Sequence, residues 1–318
     1  MSARAWLAFG AVSALWGIPY LFIRVAVDGG MSPLFLVWVR LALAAAIVTA
    51  MAWRAGVLPG LRGRLRWILA YAVIEFAIPF PLIAAAERHV ASSLAAIIVA
   101  AVPLIIALLA LRFEPDERVN RRRLTGLLIG FAGVIALVGI DVAGSSTGLL
   151  AAGAVLLAAV GYAAGPMILN RHLLDLDARA VTAAALLTAA LVLTPAGLLE
   201  TPSHTPSAAA LASLAVLVVL CTVAGFLIYT RLVSEIGPGR AAVITYIAPV
   251  LAVALGVAVL GEHVGAGAIA GLLLILSGSW LSTGGRLPAS LERPLGHRTH
   301  ARTAECGGEQ PELDAAGA

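Results

Sequence analysis

The chain has 318 residues, 61% of them hydrophobic and only 12% charged, with a mean hydropathy of +1.00 and a formal net charge of +4. A soluble domain carries about a quarter charged residues, so the composition excludes a soluble globular fold and indicates a polytopic membrane protein. The basic excess does not mark a nucleic-acid partner. The arginines sit between apolar stretches, where they set topology and meet the anionic headgroups of a lipid bilayer.

Crossing a bilayer core takes about 20 helical residues, and ten stretches near that length follow one another. They are 5–26, 33–53, 66–86, 91–111, 123–140, 148–169, 179–199, 208–232, 240–260 and 266–285. The first has one arginine before it and no small-residue cleavage motif after it, so it reads as a retained helix, not a removed signal. The breaks carry turn chemistry, as at Asp28-Gly29-Gly30, Leu58-Pro59-Gly60, Thr201-Pro202 and Gly237-Pro238-Gly239. Residues 286–318 are polar and rich in Gly, Pro, Arg and Glu, the composition of a disordered tail. Cys221 lies within a span and Cys306 in the tail, a placement that predicts no structural disulfide.

All 21 basic residues are arginine, and 18 fall in alternate loops or at the two ends. Of the other three, Arg88 lies in an opposite loop, while Arg24 and Arg40 lie within spans. The positive-inside rule then places both termini in the cytoplasm and requires an even number of spans. Trp6, Trp53, Trp67 and Trp280 fall near the inner interface, as an aromatic belt does.

The chain repeats itself. Gly126, Gly133 and Gly139 recur as Gly271, Gly278 and Gly284, Pro103 as Pro249, and Gly17 as Gly161. This divides the chain into a first five-helix repeat (1–140), a second (147–285) and a cytoplasmic tail (286–318). Five is odd, so the second repeat inserts upside down, an architecture of secondary transporters with the site near the midplane. The predicted fold is therefore an all-α integral membrane protein of ten helices in two inverted repeats. Gly126-x-x-x-Gly130 and Gly267-x-x-x-Gly271 allow close helix approach, either within the chain or as a scaffold or homodimer surface.

Trp16-Gly17-x-Pro19, Arg24 and Arg40, then Pro103, Glu114 and Gly126-x6-Gly133, resemble the first repeat of the EamA-type drug/metabolite transporters. Tyr246-x-x-Pro249, Leu260-Gly261-Glu262 and Gly271-x6-Gly278 resemble the second. The resemblance runs from about residue 8 to residue 285. Two departures stand out. Val160-Gly161-Tyr162 replaces the usual Trp-Ala pair of the sixth span, and Glu114, Asp116 and Glu117 crowd one acidic position. The resemblance implies a cavity lined by spans one, three, four, six, eight and nine. It also implies export of a small metabolite, such as an amino acid or an amphipathic drug-like compound, by alternating access, with protons as a plausible coupling ion. An uptake carrier or a permease subunit is the alternative, and no cofactor is expected.

Glu75 lies near the centre of span three. A carboxylate at that depth needs a cavity, a cation or a proton. It is the candidate for proton coupling or substrate contact, the alternatives being a static pair with Arg40 or a protonated packing residue. Arg40 in span two needs a partner or water and could clamp an anion. Arg24 is the candidate for structural pairing or snorkelling. Trp16, Tyr71, Tyr162, Tyr229 and Tyr246 are candidates for the substrate pathway, with core packing as the alternative; Tyr20 and Trp38 are core candidates. Pro19, Pro79, Pro103 and Pro249 are candidate kinks or gating points. Glu262 and the acidic residues 114–117 read as caps or ion-pair partners. The six histidines lie in loops or the tail, no aspartate lies mid-span, and neither an HExxH motif nor a P-loop is present. The pattern predicts neither an enzyme nor a metal site.

Overall fold

The computed structural model describes residues 3–113, 121–142, 144–236 and 244–283, and these are helical apart from short turns. Among the described residues, eight stretches are long and apolar enough to cross a bilayer: Arg4–Asp28, Pro33–Arg54, Leu65–Ala86, Ser92–Leu109, Arg121–Asp141, Ser146–His172, Ala178–Leu199 and Ala208–Tyr229. Ile244–Leu260 and Ala266–Ser282 are two shorter apolar helices. Glu114, Asp116, Glu117, the Gly237-Pro238-Gly239 turn, Gly284, Cys306 and the tail lie outside the described residues.

In chain order the helices are α1 (Ala3–Gly17), α2 (Pro19–Asp28), α3 (Pro33–Arg54), α4 (Leu65–Ala72), α5 (Pro79–Ala86), α6 (Ser92–Val99) and α7 (Val102–Phe113). Then come α8 (Arg121–Asp141), α9 (Ser146–His172), α10 (Ala178–Leu199), α11 (Ala208–Val216), α12 (Gly225–Ile236), α13 (Ile244–Leu260) and α14 (Ala266–Thr283). Side-chain oxygens start several of them. Ser145 accepts from the Gly148 amide at 3.0 Å, Asp177 from Arg179 at 2.8 Å and Ser207 from Ala210 at 3.1 Å. Each occupies one of the donors that a helix start leaves open. Burial and the Arg179 guanidinium pull the Asp177 carboxyl in opposite directions, and the hydrogen bonds to Arg179 hold it below the usual range.

Apolar side chains cover the outside as well as the core. Leu199 is 87% exposed, Leu150 75% and Trp53 73%. Water would penalise such a surface, whereas lipid accepts it. Trp6 and Trp280 are exposed in the same way.

Two helix pairs join the halves of the chain. On α8 and α14, a Cβ at Gly126 would meet the Ser282 amide and the Gly278 carbonyl, and one at Gly133 would meet Leu274 and the Gly271 carbonyl. The glycines thus bring two backbones together inside one chain. The exposed apolar residues of α8 and α14, such as Leu128 and Leu273, lie on other faces of these helices. On α3 and α10, Trp38 Nε1 donates to Thr194 Oγ1 at 3.1 Å, and its ring lies over Gly197. Between these pairs, α1 packs against both α12 and α13, while α9 packs against α5, α6 and α7.

The candidate kink positions behave differently from one another. Pro19 starts α2 after a break at Ile18, and a turn at Ala100 and Ala101 precedes Pro103 in α7. Pro79 follows a π-helical segment, Val73–Ala77, in which the Ile78 amide reaches the Val73 carbonyl at 3.0 Å. Proline has no amide proton and its ring crowds the carbonyl four residues back. Widening the preceding turn relieves that crowding. Pro249 lies inside the continuous helix α13, where no break in secondary structure accompanies it. A second π-helical segment, Leu217–Ala224, sits in the eighth span, at the interval that separates Gly17 from Gly161. It has no proline; the Thr222 hydroxyl donates to the Leu217 carbonyl, five residues back, at 2.8 Å.

Candidate functional site

Glu75 lies within the first π-helical segment, Val73–Ala77, and Thr222 within the second binds Arg40. A π turn is an energetically poor element that recurs at functional sites. The first turns Glu75 toward α9, where its carboxyl rests against Gly165. Glu75 Oε2 is buried and has no hydrogen-bond partner among the described residues. Tyr71, Tyr162 and Tyr229 all lie close enough to the carboxyl to interact with it electrostatically.

Aromatic rings from several spans pack around Phe76, the chain neighbour of Glu75. From α1, the Trp16 ring lies 4.7 Å from that of Tyr229 and 5.6 Å from that of Phe226, both on α12. Phe226 lies 5.3 Å from Phe76, which lies 5.7 Å from Tyr71 and 5.5 Å from Phe80. Phe80 in turn stands 6.3 Å from Tyr162 on α9. Edge and tilted contacts of this kind contribute about 0.5–1.5 kcal/mol each beyond area burial. Spans one, three, six and eight thus share one aromatic cluster, with a carboxyl as its most polar member.

Arg40 closes the cluster from α3. It is 6% exposed, its Nε donates to Thr222 Oγ1 at 2.9 Å, and its guanidinium lies 4.5 Å from the Phe80 centroid. No carboxylate among the described residues is within ion-pair distance of it, so the static Arg40–Glu75 pair is absent. The physical reason is local. Thr222 offers an oxygen and Phe80 a negative ring face, while Glu75 is turned toward Gly165. Thr222 is itself held by the second π segment, so Arg40 joins α3 to the eighth span.

The structure therefore brings together Glu75, Arg40, Trp16, Tyr71, Tyr162 and Tyr229. Tyr246 is half-buried on α13, beside Ile244 and Ile247, which pack in the same group as Trp16 and Tyr229. Phe76, Phe80, Phe226, Thr222 and Gly165 belong to the cluster and were missed by the sequence reading. A phenylalanine in an apolar span carries no signal that separates a cluster member from a lipid-facing one. Arg24 is structurally paired, with its Nε 2.8 Å from Asp28 Oδ2. Glu262 is a cap: it accepts from the Ser92 amide at 2.7 Å and the Ser93 amide at 2.9 Å, at the start of α6 in the other half of the chain. No group of three or more metal-ligating side chains occurs among the described residues.

The sequence matches the EamA-like transporter family twice, over residues 4–139 and 149–284. With its apolar helices, the chain belongs to that family of membrane transporters. It is 30% identical over 264 residues to the uncharacterized inner membrane transporter YedA of Escherichia coli K12, covering 80% of this chain and 83% of that one. It is 32% identical over 135 residues to the protein PagO of Salmonella typhimurium LT2, covering 42% of this chain and 43% of the other. A protein of known crystal structure shares the fold, with a TM-score of 0.63 over 89% of this chain and 97% of the other, at 20% sequence identity.

Proposed function

We propose that the chain is a secondary carrier of the cytoplasmic (inner) membrane that exports a small metabolite, an amino acid or a drug-like compound, by alternating access. Its ten helices form two inverted repeats, 1–140 and 147–285, and both termini face the cytoplasm with 286–318 as the tail. The α8–α14 and α3–α10 pairs support a two-fold relation between the halves, because each joins a helix to its repeat counterpart. So does the exchange that sets α1 between α12 and α13 and α9 between α5 and α6–α7. YedA, named as an inner membrane transporter, supports the location.

The observation that carries the reading is the Glu75 carboxyl, with its buried unpartnered oxygen, among aromatic faces contributed by four spans. A charge in that place is expensive without a ligand or a proton. Glu75 takes up a proton or a cationic group of the substrate, and Trp16, Tyr71, Tyr162, Tyr229 and Tyr246 offer flat apolar faces with polar tips. Arg40 positions the eighth span against the second. Pro19, Pro79, Pro103 and Pro249 are points about which the spans bend as access alternates. Reporter fusions test the arrangement: one after Arg286 reads cytoplasmic and one in the 200–206 loop reads external. A swapped result reverses the orientation of the chain, and the same reading at both sites rules out the inverted repeats. Metabolites enriched outside cells that express the chain, against empty vector, test export and name the substrate.

A further inference from the structure

A second buried carboxyl lies away from the aromatic cluster. Glu87 follows α5, is 0% exposed, and its main-chain carbonyl accepts from Arg24 Nη1 on α2. Its Oε2 is 3.1 Å from Ser92 Oγ, while Oε1 is buried with no hydrogen-bond partner among the described residues. The same Ser92 Oγ is 3.3 Å from the Tyr20 carbonyl of α2. The groups facing Glu87 are Tyr20, Arg24 and Asp28 from α2, Ser92 from α6, Glu262 from the α13–α14 connection, and the exposed Arg88 and His89 of its own turn. A cavity of about 390 Å³ opens beside them, lined by Arg24, Asp28, Arg88, His89 and Glu262.

A serine hydroxyl has one proton to give, and a main-chain carbonyl has none. If Glu87 is ionised, Ser92 can serve either the carboxylate or Tyr20, and the other contact goes unbonded. With a proton on Oε2, Glu87 donates to Ser92 Oγ and Ser92 donates to the Tyr20 carbonyl, so both contacts become hydrogen bonds. The bare Oε1 is then a neutral carbonyl oxygen, far cheaper to bury than half of a charge. Burial, reinforced by the Glu262 and Asp28 carboxylates, holds the Glu87 carboxyl well above the usual range, against the opposing pull of Ser92 and Arg24.

We propose that Glu87 is a proton-binding site, and that its bound proton latches α2 onto the α5–α6 turn through the chain Glu87 to Ser92 to Tyr20. Losing the proton breaks the chain and leaves a charge that water must reach, which favours separation of α2 at the Ile18–Pro19 break. Folded pKa above unfolded pKa means that the latch holds at lower pH and opens as pH rises through the folded value. The latch deepens the alternating-access reading, whereas the proton on Glu87 is independent of what is carried.

Infrared spectroscopy of the purified full chain tests the proton. In a Glu75→Gln background, which removes the other buried unpartnered carboxyl among the described residues, a carboxylic-acid C=O band persists at neutral pH, and Glu87→Gln added to it removes the band. Ser92→Ala in the same background shifts the band to higher frequency, because the acid loses its acceptor. Absence of the band from Glu75→Gln, or its persistence after Glu87→Gln, overturns the proposal. The latch is read by maleimide labelling of a cysteine placed at Val90, normalised to one at the exposed His204 position, with Cys221 and Cys306 changed to serine. Labelling rises with pH in the parent and stays low and flat in Glu87→Gln, whose amide donates to Ser92 as the neutral acid does. A parent-like rise in Glu87→Gln overturns the latch. Neither readout requires transport, so a failure of the export reading leaves both interpretable.

Discussion

The carboxyl of Glu75 rests against Gly165 so closely that a side chain at 165 would share its space. Glu75 stands on the π turn before Pro79, and Gly165 on the sixth span directly before Pro166. The burial of the carboxyl in one half of the chain therefore depends on a missing side chain in the other.

Gly165→Ala is expected to destabilise the protein by about 1–3 kcal/mol through overpacking, read as a lower unfolding temperature in detergent. Adding Glu75→Ala makes room for the new methyl group and recovers part of the loss. Additive losses in the double variant would mean that the two residues do not meet.

Thr222→Val keeps the shape of the side chain but removes the acceptor of Arg40 Nε and the donor to the Leu217 carbonyl. A hydrogen bond to a charged group contributes about 1.5–3 kcal/mol, and a loss of that size is expected in thermal unfolding. Thr222→Ser, which keeps the hydroxyl, stays near wild type. Equal losses in both variants would remove the hydroxyl from the account.

Gly133→Leu or Gly278→Leu drives a side chain into the facing backbone of the α8–α14 pair. Both variants are expected to cost yield and thermal stability by several kcal/mol, since neither backbone can retreat cheaply, without changing the oligomeric state seen by size-exclusion chromatography. A change of oligomeric state at unaltered stability would place these glycines on a surface between chains.

Much of this arrangement could be read from hydropathy and spacing, and the parts that could not have physical reasons. Described helices lie within a few residues of the expected spans, because the length of apolar sequence is itself what the bilayer constrains. The paired glycines of α8 and α14 were visible as a repeat, but which helix they faced was not; only the fold says that each glycine meets the other's backbone. Pro79 hinted at a disturbed third span. The matching π turn of the eighth had no such mark, since there a threonine hydroxyl, not a proline, takes the displaced carbonyl. Arg40 and Glu75 looked like natural partners by charge and depth, yet helix rotation sends one to Thr222 and the other to Gly165. Glu87 drew no notice because it lies one residue past an apolar stretch, where carboxylates are usually solvated.

Glu75 is proposed to couple the carrier to its substrate or to protons. The most direct measurement is the extracellular metabolite profile of cells expressing wild type, Glu75→Gln or empty vector at matched membrane levels, repeated across external pH. A compound is expected to be enriched by wild type in a pH-dependent way. In Glu75→Gln its enrichment falls at least about tenfold, or ~1.4 kcal/mol in the transport barrier, and no longer responds to pH. Equal, equally pH-dependent enrichment by wild type and Glu75→Gln would contradict this coupling and return Glu75 to a packing role.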